Sequence, residues 1–313
     1  MITQQKTNKT RIGIALSSGS VRGVYAHSGF VLALQEMGLD ISAITGCSAG
    51  AVVGGIFASG QNMQTWSTTL SELNPSRFWQ PSWFRLFWSL IIHKWRGYSG
   101  ISSTNAAKEF CIEQLKVQKY SQCEIPFYAL AINIGTGAKT IFHEGELAAT
   151  MVASAAVPVL YEPVEINGEL YSDGALLELT ATDAICCKHD LDVLIVHHVA
   201  EQNNQLSELA AAFKQPWTLI KILNLFLYRH QPWYLSNQLL TFQHCPCGCN
   251  ALIIIVNPNL PPIEWPKTNN GRDILKSALE QTLKSLEPYI DNIKFDIEAL
   301  NKIALPKNPE NNN

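Results

Sequence analysis

Residues 11 to 18, RIGIALSS, form a short apolar run that Gly19 to Gly23 interrupts, and Val24 to Met37 then places apolar residues at helical spacing up to Gly38. The succession repeats at once. Ile41 to Thr45 is a β-branched run, Gly46 to Gly50 a turn, and Ala51 to Ser59 a small-residue helix closed by Gly60. Two consecutive strand–turn–helix units predict parallel strands. Phe127 to Ile134, Thr140 to His143, Val193 to Val199 and Ala251 to Val256 are further strand candidates between helical or turn-rich segments. The pattern predicts a three-layer α/β domain.

Two stretches break this rhythm. Phe78 to Gly97 carries Trp79, Trp83, Trp88 and Trp95, and Pro216 to Leu240 carries Trp217 and Trp233 among Leu, Ile and Phe. If Trp83 to Arg96 is one helix, Arg85, Ser89, His93 and Arg96 fall on a narrow stripe and Phe84, Phe87, Trp88, Leu90, Ile91 and Trp95 on a wide apolar face. Such a face fits a core helix, a lid over an apolar channel, or a membrane interface where Trp and basic residues flank it.

Composition narrows the function classes. Charged residues are 16% of the 313, and a net charge of -3 offers no field for a phosphate backbone, so no nucleic-acid partner is expected. The polar start MITQQKTNKT has no apolar leader core, which makes a cytoplasmic location the expectation, with peripheral membrane contact or non-classical export compatible with it. No apolar run reaches the roughly 20 residues of a spanning helix. The spacings of the eight cysteines resemble no secreted scaffold, and free thiols are expected. Oligomeric state has no signature.

Candidate chemistry begins at Gly46-Cys47-Ser48-Ala49-Gly50, a G-x-S-x-G turn. Between a strand and a helix, this turn lifts the Ser48 hydroxyl out of the sheet, with Gly46 and Gly50 allowing close packing and the helix dipole favouring an alkoxide. A second glycine turn, Gly19-Ser20-Val21-Arg22-Gly23, closes the neighbouring strand and could aim amide donors at an oxyanion; Arg22 would add positive field or brace the loop. Neither G-x-G-x-x-G nor Gly-Lys-Ser/Thr occurs there, which argues against a dinucleotide or phosphate site. Ser48 also needs a base. His189, His197, His198, His230 and His244 are available by position, and Asp173 ends an apolar strand at Tyr171-Ser172-Asp173-Gly174-Ala175.

Two other stretches invite chemistry and read more plainly. Gly135 to Thr140 is a broken phosphate loop, with Ala138 between glycine and lysine, and is predicted to be a hairpin turn. His244-Cys245-Pro246-Cys247-Gly248-Cys249 has cysteines at alternate positions, unlike the C-x₂₋₄-C pairs of structural zinc; thiols before a strand are expected, and no metal or cofactor.

Residues 11 to 305 resemble the patatin-like phospholipase family. The likeness rests on SSGSVRG, the helix start Ala26-His27-Ser28-Gly29, the elbow GCSAG, and ATMVASAAVPVLYEPVEINGELYSDGA, four ordered motifs at family-like spacing. The resemblance implies a three-layer α/β/α patatin-like domain with a mainly parallel central sheet; the Trp-rich stretch at about 78 to 97 reads as an insert in it, and the Asn- and Pro-rich composition predicts a disordered tail over 306 to 313. It also implies a Ser48–Asp173 dyad, an oxyanion hole from Gly19, Ser20, Val21, Arg22 and Gly23, and an Asp-Gly-Ala motif completed by Gly174 and Ala175. Two features depart from the family pattern: Ser18 and Ser20 stand where relatives carry glycine, and LLELTATDA replaces an Asn and Pro turn.

The expected reaction is attack by Ser48 on an ester of a phospholipid or lysophospholipid while Asp173 takes its proton, followed by hydrolysis of the acyl-enzyme. Burial should raise the Asp173 pKa. A soluble carboxylesterase or thioesterase on the same dyad, or a lipid-binding protein without catalysis, are the alternatives.

Overall fold

The structure is a computed structural model, and it describes residues 10–92, 100–199, 238–263 and 268–304, without the side chains of 85, 86, 89 and 90. The strands are β1 (Ile12–Leu16), β2 (Ile41–Cys47), β3 (Gly100–Ser102), β4 (Phe127–Asn133), β5 (Lys139–Phe142), β6 (Val159–Tyr161), β7 (Val164–Ile166), β8 (Glu169–Asp173), β9 (Val193–His197), β10 (Leu240–His244) and β11 (Leu252–Val256). The helices are α1 (Ser20–Glu36), α2 (Ala49–Ala58), α3 (Met63–Ser71), α4 (Trp83–Ile91), α5 (Asn105–Gln114), α6 (Leu147–Ala155), α7 (Gly271–Leu286), α8 (Ile290–Phe295) and α9 (Ile297–Asn301).

The domain is a three-layer α/β/α fold. Its central sheet runs β10-β11-β9-β1-β2-β4-β8-β7, with β5 on the second edge of β4. The run from β11 to β4 is parallel, while β10, β5, β8 and β7 are antiparallel to their neighbours. Period-two alternation divides the core. Ile12, Ile14 and Leu16 of β1, Val193 and Ile195 of β9, and Leu252, Ile254 and Val256 of β11 face the helices. Ala15, Leu194, Val196, Ile253 and Ile255 face the opposite side, which single 3-10 turns at Gly174–Leu176 and Thr182–Ala184 cover among the described residues.

Helix α1 is buried on nearly all sides from Gly23 to Leu34 because it lies between the sheet and α7. Gly29 permits that approach: a Cβ there would stand 2.2 Å from the Leu275 carbonyl oxygen. The helix starts four residues before the expected Val24. The glycine stretch is its first turn, entered through Ser20 at φ 54°.

The Trp-rich segment is helical over Trp83–Ile91 and is anchored beside the small β3–β6 sheet, where Pro81 bridges Ser102 and the Ser82 N–H donates to the Ile101 carbonyl at 2.9 Å. It is not a core helix: Phe84 is 74% and Phe87 62% exposed. His93, Trp95 and Arg96 lie outside the described residues, as do 200–237, which hold most of the second Trp-bearing stretch, and the expected tail. No helix of the described residues is long and apolar enough to cross a membrane.

Candidate active site

Register on β4 decides the geometry. Strand β5 lies opposite residues 129 to 132, overlapping both β2 (opposite 127 to 130) and β8 (opposite 131 to 133), so β2 and β8 share the other edge of β4. They approach along it from opposite directions. Cys47, last in β2, pairs with Leu130, and Asp173, last in β8, pairs with Ala131. The chain therefore leaves both strands at one point of the sheet, which brings Ser48 and Asp173 together from 125 residues apart.

Ser48 sits at φ 53°, ψ -118°, between β2 and α2, a left-handed backbone that a serine adopts only where the surroundings enforce it. Those surroundings are the flanking glycines. A Cβ on Gly46 would lie 2.3 Å from the Gly50 oxygen, and one on Gly50 2.2 Å from the Leu16 oxygen. The Ser48 N–H donates to Ser154 Oγ at 2.9 Å, and Ser154 is wholly buried on α6. Ser154 was not among the residues singled out from the sequence, although a serine in the otherwise small and apolar run ATMVASAAV is a usable signal.

Asp173 is 1% exposed. Its Oδ1 accepts the Ala175 N–H at 2.8 Å, and its Oδ2 has no hydrogen-bond partner. Burial pushes the carboxyl up to about 7, against the Ala175 N–H and the nearby Ser48 hydroxyl, which both favour the ionised form. The Ser48 hydroxyl is thus near enough to favour the carboxylate, while no hydrogen bond of good geometry closes on Oδ2. Gly174 serves close approach: a Cβ would meet the Leu130 oxygen at 2.5 Å.

The first turn of α1 lies beside this point. A Cβ on Gly23 would stand 2.9 Å from that of Ala49, so the N-termini of α1 and α2 converge. The N–H groups of Ser20, Val21 and Ala49 belong to first turns, where no carbonyl of their own helix can accept them. The loop is tied from behind. Ser18 N–H donates to the Leu179 carbonyl at 2.8 Å, Ser17 Oγ donates to the Ser18 carbonyl and accepts the Val199 N–H, and an Arg22 guanidinium N–H donates to the Val199 carbonyl at 2.7 Å. Arg22 thereby braces the loop against the end of β9.

The histidines occupy other places. His27 and His197 meet through their Nδ1 atoms at 2.7 Å, and His27 Nε2 lies 2.7 Å from the Ser17 carbonyl. A carbonyl only accepts, so His27 carries its proton on Nε2 and accepts at Nδ1 from His197. Burial holds His27 down at about 3 and His197 well below the usual range. This neutral pair braces the loop strand from beneath. His189 bonds Tyr128 and His244 closes β10; His230 lies outside the described residues. Cys47, beside the serine, has its thiol pushed well up by burial and by Asp173, which keeps it protonated.

A sequence model of patatin-like phospholipases matches residues 14–184, more than half of the chain. The chain belongs to the patatin-like phospholipase family. An uncharacterized NTE family protein of Mycobacterium tuberculosis is 32% identical over 174 residues, 55% of this chain and 44% of that one. A lysophospholipase of Cryptococcus neoformans is 25% identical over 186 residues, 59% of this chain and 11% of its own. The chain thus spans less than half the length of these relatives. Human GIVD cytosolic phospholipase A2 shares the fold at a TM-score of 0.51 and 11% identity, over 94% of this chain and 60% of that one. Ser20, expected to depart from the family's glycine pattern, stands at positive φ, and a 3-10 turn at Thr182–Ala184 lies within the LLELTATDA stretch.

Proposed function

We propose that this patatin-like protein hydrolyses carboxylic esters of phospholipids or lysophospholipids with Ser48 as nucleophile and Asp173 as base. The observation that carries the reading is the meeting of β2 and β8 on one edge of β4, which sets a strained serine beside a buried carboxylate with an unpartnered oxygen. Asp173 Oδ2 takes the Ser48 proton as Oγ attacks the ester carbonyl, and the first-turn N–H groups at Ser20, Val21 and Ala49 face the charge that develops on the carbonyl oxygen. The proton passes to the leaving alcohol. Water then attacks the acyl-enzyme, giving a proton to Asp173, and Ser48 is regenerated as the fatty acid leaves. A carboxyl held near 7 is a far better base at neutral pH than an ordinary one at 3.8.

Helix α4 supports a lipid as the substrate. Trp83, Phe84, Phe87, Trp88, Ile91 and Ile92 are each about half to three-quarters exposed, a contiguous apolar surface of the kind that marks an interaction site. A lipid surface is the occupant this reading assigns. A fluorophosphonate probe should label the wild type and not Ser48→Ala; labelling that persists in the variant overturns the nucleophile. Phe84→Ser with Trp88→Ser should lower hydrolysis of phospholipid vesicles while sparing a soluble p-nitrophenyl ester. Equal loss on both substrates would assign α4 a purely structural role, and activity confined to short soluble esters would make the protein a carboxylesterase.

A further inference from the structure

Free thiols are what the spacing of Cys245, Cys247 and Cys249 along the chain predicts, and the fold brings Cys186 and Cys187 to them. The Sγ atoms of Cys186, Cys245, Cys247 and Cys249 all lie within 4.8 Å of one another. Cys186 stands 3.7 Å and Cys245 2.9 Å from Cys247. These separations far exceed the roughly 2.05 Å of a disulfide. Sulfurs at about 2.3 Å from a central zinc lie about 3.8 Å apart, a spacing matched by the 3.7 Å pair and within the 4.8 Å spread of the four, so a bound ion would open the closer Cys245–Cys247 pair by about 1 Å. Cys187 adds a fifth thiol at the rim, exposed and 3.0 Å from Cys247.

We propose that Cys186, Cys245, Cys247 and Cys249 form a structural zinc site that staples the β10–β11 hairpin to the segment between Asp173 and β9. The alternate spacing that fails as a linear zinc motif works here because the turn is tightly curled. Gly248 sits at φ 87°, and its N–H closes back on the Cys245 carbonyl at 3.3 Å. Cys186 and Cys245 are buried at the inner side, and Cys247 faces solvent, which leaves an entry path. Four thiolates and no oxygen donor favour zinc over harder divalent ions. Cys187 is left outside the ligand set, because its backbone neighbour already occupies a vertex.

The site is remote from Ser48. His244 and Leu252 flank the cysteine turn and pair with each other, and Leu252 pairs with Val193, the first residue of β9. Ser48 follows the last residue of β2. The cluster thus occupies the N-terminal rim of the parallel strands and the dyad the C-terminal rim. A zinc ion there has no route to the ester. It would instead fix the chain that runs from Asp173 through Leu179, whose carbonyl holds Ser18.

The full chain, purified without chelator or metal-affinity resin, should carry about one zinc ion per chain by elemental analysis. Exchange with cobalt should give thiolate charge-transfer and tetrahedral d–d absorption. Cys245→Ser and Cys247→Ser should each lose the metal, and Cys123→Ser should retain it. The cobalt spectrum is read on the wild-type protein, so it stands even where a variant fails to fold. Protein that is free of metal with its cysteines oxidised to disulfides overturns the proposal, as does iron in place of zinc, or zinc that persists in both Cys245→Ser and Cys247→Ser.

Discussion

Replacing Asp173 by Asn should make the protein more stable at alkaline pH while removing its activity. The folded state holds this carboxyl at about 7 instead of 3.8, principally because burial penalises the charge. Between those values the folded protein binds a proton that the unfolded chain has released. The stabilisation is therefore complete below about pH 4 and is lost as pH rises through 7. At 1.36 kcal/mol per pH unit, burying this group costs about 1.5 kcal/mol at pH 5, where the folded state holds it protonated, and about 4 kcal/mol at pH 8, where it ionises. Asparagine never ionises and keeps an oxygen for the Ala175 N–H. Its new amide donors, in a pocket where Oδ2 had no partner, cost about 1–3 kcal/mol at every pH, so the difference between two pH values isolates the charge. Urea unfolding of both proteins should show the variant gaining about 2.5 kcal/mol relative to wild type on going from pH 5 to pH 8. A relative stability that does not move with pH would mean that Asp173 carries no buried-charge cost, and its assignment as a tuned base would fall with it.

Other consequences are simpler to read. Hydrolysis of a soluble ester should rise with pH along a single limb centred near 7, to which about a tenth of the limiting rate at pH 6 corresponds; a flat profile from pH 5.5 to 8 would exclude Asp173 as the base. Ser154→Ala strands the buried Ser48 N–H, and thermal unfolding should show a loss of about 1–3 kcal/mol together with slower fluorophosphonate labelling; unchanged labelling would confine Ser154 to stability. Gly50→Ala drives a Cβ to within 2.2 Å of one backbone oxygen and 2.7 Å of another, so soluble yield should collapse or stability fall by about 3 kcal/mol or more, and a variant with wild-type melting would refute the packing argument.

Much of the scaffold was legible in the chain because its signals are local. Two strand–turn–helix units, the glycine corner at Ser48 and the apolar run ending at Asp173 each lie within a short stretch, and backbone hydrogen bonds in helices and turns close over a few residues. Strand β10 escaped notice beside an apolar stretch, and the start of α1 was displaced because Ser20 takes a conformation usually left to glycine. The exposed face of α4 could equally have been core, since amphipathic spacing does not say what stands opposite.

The sequence by itself determined the first two strand–turn–helix units, most of the central strands, the family motifs and the two residues proposed for chemistry. Tertiary structure alone decided that β2 and β8 end nose to nose on β4, that Ser154 holds the elbow, and that Cys186 joins three cysteines some 60 residues away. The reason is physical. A helix or a turn is specified by neighbours in the chain, whereas strand register and thiol clustering depend on which distant surfaces close together to bury the core.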